Sequence, residues 1–423
     1  MYRIALILSL IASVLFAESP LLLIDGVGTK AQGMGNNYTA IANDYSAVFW
    51  NPSGLAFVPV REIHAGMNIV GMSTETGLGS TEQNYRKSRF GFSSAGFVRS
   101  LPTTQGGFAF ALGYSAPYTF MDISRYRGVD VYNYHPDTAL PNFNGTAYLL
   151  YGDSLWYDDA KYVSNGALGL WSAAAGWQIA KGFGIGVTAS YINGRQMNHR
   201  SFYTHYKYGD FDRVSDIATE TKYHGFDLRL GVMYQPNSFL SAGARFEIPQ
   251  VIRYKTVQRV AGYDGAERSK GTLRSSMGSA LGFAVTLPFA MVSTDVTARS
   301  PNPDVDEGDL AYWKIGAGVG VEVPVTVLNL LFRAGYSWKE YDLYPYADYV
   351  DGMRQPDANV DVSGSDLHRF NLGATFVLSK SITLDFAYTN MLFDTRSVDI
   401  NWRNALDKKY SVNRFDCVFS VRY

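Results

Sequence analysis

The chain has 423 residues, a formal net charge of −1 and a single cysteine, Cys417. One cysteine excludes a disulfide framework within the chain and any metal site built on several cysteines. A near-neutral charge without a basic run argues against a nucleic-acid partner. The chain also combines 41 Gly, 30 Tyr and 25 Phe with only 18% charged residues. This composition indicates a β protein, and membrane barrels belong to that class.

The first 17 residues predict a secretory signal peptide. Arg3 supplies a positive charge, residues 4–16 form an apolar run, and Ala17 is a suitable small residue before the cut. The run is shorter than the roughly 20 apolar residues that a spanning helix needs. An uncleaved anchor helix is the alternative interpretation of this segment.

Residues 18–61 show no alternation of apolar and polar side chains, so we expect a compact segment ahead of the first strand. Asp44 is a suitable N-cap for a short helix that ends near residue 50, because its carboxylate can accept from free backbone N–H groups. Pro52 biases Asn51 away from helical geometry. The segment is aromatic and apolar for a surface loop, which suits a plug inside a barrel.

From residue 62 onward, apolar and polar residues alternate with a period of two, the pattern of a β-strand. Ile382 and Leu384, for example, point to one face, whereas Thr383 and Asp385 point to the other. The pattern predicts 14 strands, most of them longer than the 5 or 6 residues usual in soluble sheets. These strands are 62–73, 88–100, 105–117, 166–180, 182–195, 222–235, 237–248, 274–287, 289–299, 311–323, 327–338, 367–379, 381–392 and 412–423.

Short turns and long loops alternate between the predicted strands. The long loops are 74–87, 118–165, 196–221, 249–273, 300–310, 339–366 and 393–411. Short turns on one side, long loops on the other and an even strand number are typical of bacterial outer-membrane barrels. We therefore predict an all-β fold in a Gram-negative outer membrane. It is a 14-stranded antiparallel transmembrane β-barrel over residues 62–423, with residues 18–61 as an N-terminal hatch inside its lumen.

The last predicted strand carries a further signal. Phe415, Cys417, Phe419, Val421 and Tyr423 share one face, and an aromatic residue ends the strand. This pattern resembles the recognition signal that the outer-membrane assembly machinery reads. Cys417 would then be a small apolar residue that faces lipid rather than a nucleophile.

The stretch AIANDYSAVFWNPSGL, residues 40–55, resembles the N-terminal hatch motif of the FadL/TodX family of outer-membrane hydrophobe transporters. The similarity rests on the Ala-Ile-Ala run, on Ala47, and on an Asn-Pro pair that precedes a small residue. Members of that family are 14-stranded barrels plugged by a hatch. The resemblance implies that the hatch motif here comprises Asp44, Asn51, Pro52, Ser53 and Gly54, with Ser53 a mild departure because the motif often has Ala there.

The resemblance also implies a function. A long-chain fatty acid or an aromatic hydrocarbon would bind in the lumen beside the hatch and leave by lateral diffusion into the outer-membrane lipid. No cofactor, metal or catalytic activity is expected for such a channel, and we expect a monomer. The hatch side chains expected to contact the ligand are Phe49, Trp50, Leu55 and Phe57. The aromatic loop 118–165 would capture ligand, or its aromatic residues would fold the loop on itself; the family places its capture groove in later loops.

Charged and titratable residues occupy many lumen-facing positions. These are His64, Asp227, Arg229, Arg245, Glu247, Asp295, Lys314, Glu322, Arg333, Arg369, Asp385, Arg414 and Asp416. An arginine among them could pair with a ligand carboxylate, or the set could pair internally and hold the hatch.

Other functions stay open at this point. A FadL-like barrel could serve as a protein-secretion accessory or surface-protein shuttle, a general porin would have an open lumen, and a structural or adhesion role is a further alternative. An enzyme is disfavoured, because the six histidines occur in no recognisable nucleophile–base motif. The block GDSLW at residues 152–156 resembles part of a lipase motif, but it falls within a predicted loop.

Overall fold

The structure is a computed structural model of the chain. It describes residues 22–24, 26–58, 61–78, 81–101, 103, 106–132, 154–206, 212–301, 313–340, 363–398 and 405–423. The predicted signal peptide lies outside these residues. No helix in the described ranges is long and apolar enough to cross a membrane.

The described β-structure forms one antiparallel sheet. Its elements are β1 (Leu22–Ile24), β2 (Glu62–Leu78), β3 (Thr81–Leu101), β4 (Phe108–Tyr132), β5 (Ser154–Ala180), β6 (Phe183–Tyr206), β7 (Asp212–Tyr234), β8 (Leu240–Glu247), β9 (Val251–Val260), β10 (Glu267–Arg274), β11 (Gly278–Thr286), β12 (Met291–Arg299), β13 (Lys314–Val325), β14 (Leu330–Lys339), β15 (Ser363–Gly364), β16 (Leu367–Val377), β17 (Ile382–Val398) and β18 (Ala405–Arg422).

Three pairs of these elements are single barrel strands with a break. β8 and β9 pair with successive parts of β7, β10 and β11 pair with β9 and β8, and β15 precedes β16 along β17. β1 lies outside this count, because it is a strand of three residues that pairs with residues 118–120 of β4. The sheet closes where β18 pairs with β2 along its length. The prediction of a closed 14-stranded antiparallel barrel is therefore confirmed.

The outer surface of the barrel is apolar. On β2 the side chains alternate between buried and exposed, and the exposed face carries Ile63, Met67 and Ile69. Trp171 and Phe226 are also exposed, on β5 and β7. A closed barrel satisfies the backbone hydrogen bonds of every strand internally, so such a surface can face lipid.

The strands are longer than their alternation predicted. β4, β5 and β6 have 25, 27 and 24 residues, which at about 3.3 Å per residue far exceeds the ~30 Å of a bilayer core. The predicted loops 74–87, 196–221, 249–273 and 393–411 were therefore wrong over most of their length. The backbone hydrogen bonds between strands continue beyond the residues that face lipid. Sequence periodicity does not reveal these strand extensions.

The loop predicted at 118–165 was wrong in the same way at both ends, because β4 runs to Tyr132 and β5 starts at Ser154. Its middle, 133–153, lies outside the described residues, as do 302–312 and 341–362, which contain most of the predicted loops 300–310 and 339–366.

Residues 26–58 lie inside the barrel, and we call this segment the hatch. It contains helix α1 (Thr29–Gly33), helix α2 (Ala47–Trp50) and a 3-10 helix (Pro52–Phe57). Nearly all of its residues are buried, and its apolar side chains form one core with inward residues of β3 to β7 and β9. The hatch thus fills the barrel as a packed plug.

Inward-facing glycines allow this close fit. A Cβ on Gly373 of β16 would come within 2.9 Å of the Cα of Gly33, and a Cβ on Gly335 of β14 would overlap the backbone of Gly35. Glycine inside a strand often marks such an approach of a second backbone. The glycines on these two strands are part of the seat of the hatch.

Candidate functional site

Asp44 organises the first half of the hatch. Its Oδ1 accepts hydrogen bonds from the Ser46 N–H (2.9 Å) and hydroxyl (2.6 Å), and its Oδ2 accepts from the Tyr38 hydroxyl (3.2 Å). The Lys30 Nζ lies 3.5 Å from Oδ2. Burial alone would raise the pKa of Asp44, but Lys30 and Ser46 outweigh it and hold this pKa below its ordinary value. The prediction of Asp44 as the N-cap was wrong. Helix α2 begins at Ala47 with Ser46 as its N-cap, because Asp44 binds the turn before the helix.

Asn51 joins the two halves of the hatch to the wall. Its amide donates to the Thr39 carbonyl (2.7 Å) and to the Val232 carbonyl of β7 (3.0 Å), and its Oδ1 accepts from the Ser53 N–H (3.2 Å) and hydroxyl (2.6 Å). Asn51 is thereby the N-cap of the 3-10 helix, in which Pro52 is the first residue. The Ser53 hydroxyl therefore makes a hydrogen bond that the alanine often found at this motif position could not make.

Gly54 is required by space rather than by conformation. A Cβ at this position would overlap the Ala42 carbonyl oxygen, so the two hatch segments approach each other only because residue 54 is glycine. All five predicted motif residues are buried, and their contacts shape the hatch. Any role in transport stays a prediction.

Two arginines hold the carboxyl end of α2. Arg229 of β7 donates to the Phe49 carbonyl (2.8 Å), and Arg245 of β8 donates to the Trp50 carbonyl (3.2 Å). Carbonyls at a helix end have no partner within the helix, so these guanidinium groups satisfy them. The Arg229 guanidinium also stacks 4.0 Å from the centre of the Phe49 ring.

Carboxylates neutralise both arginines. Arg229 donates to Asp227 (2.8 Å) and Glu247 (3.3 Å), and Arg245 lies 3.4 Å from Glu247. The remaining Arg229 nitrogen donates to the Tyr118 hydroxyl of β4 (3.0 Å). One buried cluster therefore connects α2 to three strands of the wall.

A second group of buried charges holds α1. Arg414 of β18 forms a bidentate pair with Asp416 (2.6 and 2.7 Å). With its amide oriented to suit them, Gln32 donates to Asp416 (2.7 Å) and accepts from Arg414 (3.1 Å). Arg333 of β14 pairs with Glu322 (2.6 Å) close to Gly33.

The predicted lumen charges therefore do face inward. All thirteen are buried or half-buried, and among them Arg229, Arg333 and Arg414 are paired with carboxylates. Of the two interpretations offered by the sequence, internal pairing describes these three arginines, and Arg229 and Arg414 also bind the hatch.

A cavity of about 140 Å³ lies beside the hatch. Phe49 and Trp50 of the hatch, Tyr118 of β4 and Trp338 of β14 contribute to its lining. Five cationic side chains and three carboxylates line it as well: Arg245, Arg299, Lys314, Lys339 and Arg369, with Glu247, Asp295 and Glu340. A cavity of about 150 Å³ holds one benzene molecule, so this space suits a ring-sized apolar group next to a surplus of positive charge.

Two of the four predicted ligand-binding residues contribute to this cavity, namely Phe49 and Trp50. Leu55 is fully buried, and Phe57 lies in the 3-10 helix, where it packs against Gly184 of β6. Neither Leu55 nor Phe57 lines the cavity.

The barrel wall has an opening between β3 and β4. Their pairing ends at Ser94 and Ser115, so Thr81–Phe92 of β3 pair with β2 alone. Pro117 of β4 follows at once and has no N–H to donate to a neighbouring strand. From residue 115 to 124 both faces of β4 are buried, whereas wall strands alternate. β4 therefore bends out of the wall and into the lumen, and β1 pairs with its freed segment at residues 118–120.

Sequence reasoning missed Arg89 and Tyr114, which lie at this opening, and it placed Tyr118 at the start of the aromatic loop 118–165. One signal was available, because Pro117 occurs within a run of strand-forming residues, where proline indicates an edge or a break. The predicted strand ends at Pro117, so the prediction placed a loop from residue 118 onward.

These features define a class: an outer-membrane β-barrel of the Gram-negative type that is closed by 14 strands and plugged by an N-terminal hatch. Within the described residues, its wall has one opening, between β3 and β4. No protein family model and no curated protein match the sequence.

Solved structures do match over almost the whole chain. A FadL homologue of Pseudomonas aeruginosa has a TM-score of 0.58 and 14% identity, covering 96% of this chain and 99% of that one. The Ralstonia pickettii toluene transporter TbuX gives 0.57, 14%, 95% and 99%, and the Pseudomonas putida toluene transporter TodX gives 0.56, 13%, 95% and 99%. The chain has the fold of the FadL/TodX channels.

Proposed function

We propose that this protein is a passive channel that takes up hydrophobic molecules through the outer membrane. The ligand binds in the lumen cavity against Phe49 and Trp50, and it leaves sideways into the lipid through the opening between β3 and β4. The observation that carries this proposal is the position of Tyr118, which lines the cavity and also belongs to the displaced segment of β4. Cavity and opening are therefore neighbours.

The hatch argues for sideways release over passage straight through the barrel. It is packed against the wall, buried nearly throughout and bound by charged clusters. An apolar ligand gains little from entering water, whereas the bilayer is a favourable destination for apolar surface. The structural neighbours described as toluene transporters are consistent with such a ligand.

The ligand class follows from the lining of the cavity. Two aromatic hatch side chains suit an aromatic ring or alkyl chain, and the cationic surplus tolerates or favours a carboxylate. Monoaromatic hydrocarbons and long-chain fatty acids are therefore the two probes to compare.

Uptake into liposomes that contain the purified protein tests the proposal, with ion conductance measured in parallel. We expect saturable uptake of at least one probe and little steady conductance. Phe49→Ala should weaken uptake, whereas Phe57→Ala, which removes a ring outside the cavity, should change it far less. Large steady conductance without uptake of either probe would instead show a porin.

A further inference from the structure

The wall opening contains a contact that a regular barrel does not allow. Arg89 of β3 donates a hydrogen bond to the Gly166 carbonyl of β5. In a complete wall β4 lies between these two strands. Arg89 is five residues beyond the last β3 partner of β4, and Gly166 is at the matching height, four residues beyond Leu170, which pairs with Ser115. The guanidinium therefore crosses the opening.

Aromatic side chains form the membrane-facing edge below this bridge. The rings of Phe92 and Tyr114 lie 6.0 Å apart, and those of Tyr114 and Trp171 lie 5.0 Å apart. The Tyr114 ring packs directly over Gly169 of β5, and Arg89 is close enough to Tyr114 for their charges to interact. The opening is thus closed by an arginine above and a row of rings below.

Positive charge accumulates at the same place. Lys87 on β3 and Lys161 on β5 lie close enough to repel each other, and Arg89 repels Lys87 as well. Lys161 rests 5.0 Å above the Tyr85 ring. Within the ranges that the structure describes, neither lysine forms an ion pair with a carboxylate. A passing anion would lower this repulsion.

We propose that Arg89 is the latch of the wall opening and that a carboxylate-bearing ligand releases it. The carboxylate replaces the Gly166 carbonyl as the acceptor of the Arg89 guanidinium. A guanidinium–carboxylate pair is charge-assisted and bidentate, so it is stronger than a single bond to a neutral carbonyl. Lys87 and Lys161 add attraction for the same group. The inference rests on the proposed lateral release and names the ligand group that the exit favours.

Release of a pre-bound ligand tests the exchange step. A fluorescent long-chain fatty acid and the alcohol with the same tail are loaded into the barrel in lipid nanodiscs, and exit is followed by loss of energy transfer from tryptophan. The wild type should release the acid about tenfold faster than the alcohol, the factor that corresponds to roughly 1.4 kcal/mol. Arg89→Met should bring this ratio close to one by accelerating the alcohol. Arg89→Lys, which keeps the charge but loses the planar fork, should lie between.

Arg86→Met is the matched control, because Arg86 lies on the same strand but on its exposed face, where it bonds Ser73. It should leave the ratio unchanged. A ratio that persists in Arg89→Met, or that is absent in the wild type, overturns the exchange mechanism.

A measurement without ligand separates the latch from the transport function. Spin labels at Ser88→Cys and Ala167→Cys, in a Cys417→Ser background, report the distance across the opening. Arg89→Met should lengthen and broaden that distance, and Arg86→Met should not. An unchanged distance in Arg89→Met overturns the latch. If the wild type binds neither probe, the proposed function fails, and the spin-label distances still decide whether Arg89 holds the opening.

Discussion

Two sides of the barrel hold the hatch by different interactions. On the anchored wall, which we define as β7, β8, β12 and β18, buried charged groups bind hatch backbone or side chains, as Arg229 does for Phe49, Asp295 for Thr39 and Arg414 for Gln32. On the open wall, β3 to β5, the hatch packs mainly through apolar contacts, and Tyr118 of β4 joins the Arg229 cluster through its hydroxyl. The Tyr45 ring packs on Gly96 and Gly113 there, and strand pairing stops two residues away on each strand, at Ser94 and Ser115.

The difference indicates which side can move. Separating a buried guanidinium from its carboxylates costs several kcal/mol, because an uncompensated charge is left behind. Apolar packing is non-directional, so rings can slide while they stay buried. We therefore expect the anchored wall to keep the hatch in place while the open wall widens to let a ligand pass.

Removal of Arg229 should have the largest effect on the anchored wall. Arg229→Ala leaves Asp227 buried without its arginine, reduces the arginine partners of Glu247 to Arg245 and Arg299, and frees the Phe49 carbonyl. We expect the free energy of unfolding to fall by about 3–5 kcal/mol, measured by urea denaturation in lipid vesicles.

The exposed pair of Arg195 and Glu220 provides the control, because its members are 4.0 Å apart and the Arg195 side chain is 60% exposed. Arg195→Ala should cost less than about 1 kcal/mol. Equal losses in the two variants would refute an anchored wall based on buried charge.

A second variant acts on the seat of the hatch without changing charge. Gly335→Val places a side chain where the backbone of Gly35 lies. Overpacking of this kind costs about 1–3 kcal/mol or more. Here it destabilises the position of the hatch inside the lumen. Ion conductance in planar bilayers should rise as the lumen opens. Gly71→Val is the matched change on β2, because the nearest atom to a Cβ there is 3.8 Å away, and its conductance should equal that of the wild type.

A third variant tests the Asn-Pro turn. Changing Asn51 and Pro52 to alanine removes the bonds from Asn51 to Thr39 and Val232, and each buried partner left unsatisfied costs about 1–3 kcal/mol. The barrel strands are untouched, so heat-modifiable migration on gels should show normal assembly. Ligand uptake should change, because the turn follows Phe49 and Trp50 directly. Failure of assembly would make the motif purely structural, and Asn84→Ala on β3 is the matched control.

The sequence was sufficient for the barrel and for the shape of the hatch turn. Alternation identified which residues face inward, as Arg229 and Asp385 do, because the period of a strand is fixed by its geometry. It did not identify their partners. Arg229 binds Phe49, 180 residues earlier in the chain, and a period of two carries no information about such pairs.

Two features of the site are visible in the sequence, but the periodicity does not reveal their structural cause. Inward glycines such as Gly335 and Gly373 mark the seat of the hatch, but a glycine in a strand also occurs at bulges and bends. Pro117 marks the wall opening, yet a proline ends many strands. The latch at Arg89 depends on the displacement of β4, which only the three-dimensional register reveals.

The smallest expected effect concerns pH and the amino-terminal half of the hatch. The pKa of Asp44 in the folded protein lies below its ordinary value, since Lys30 and Ser46 favour the carboxylate despite its burial. Its contribution is therefore fully present at pH values above that ordinary pKa, and it is lost as the pH falls through the lowered one. A spin label at Ile41→Cys, in a Cys417→Ser background, should therefore gain mobility only as the pH falls below the ordinary carboxyl pKa. Lys30→Met should move this transition to higher pH, because the lowered pKa depends on the lysine. A transition that Lys30→Met does not move would show that the pairing of Asp44 with Lys30 is not its cause.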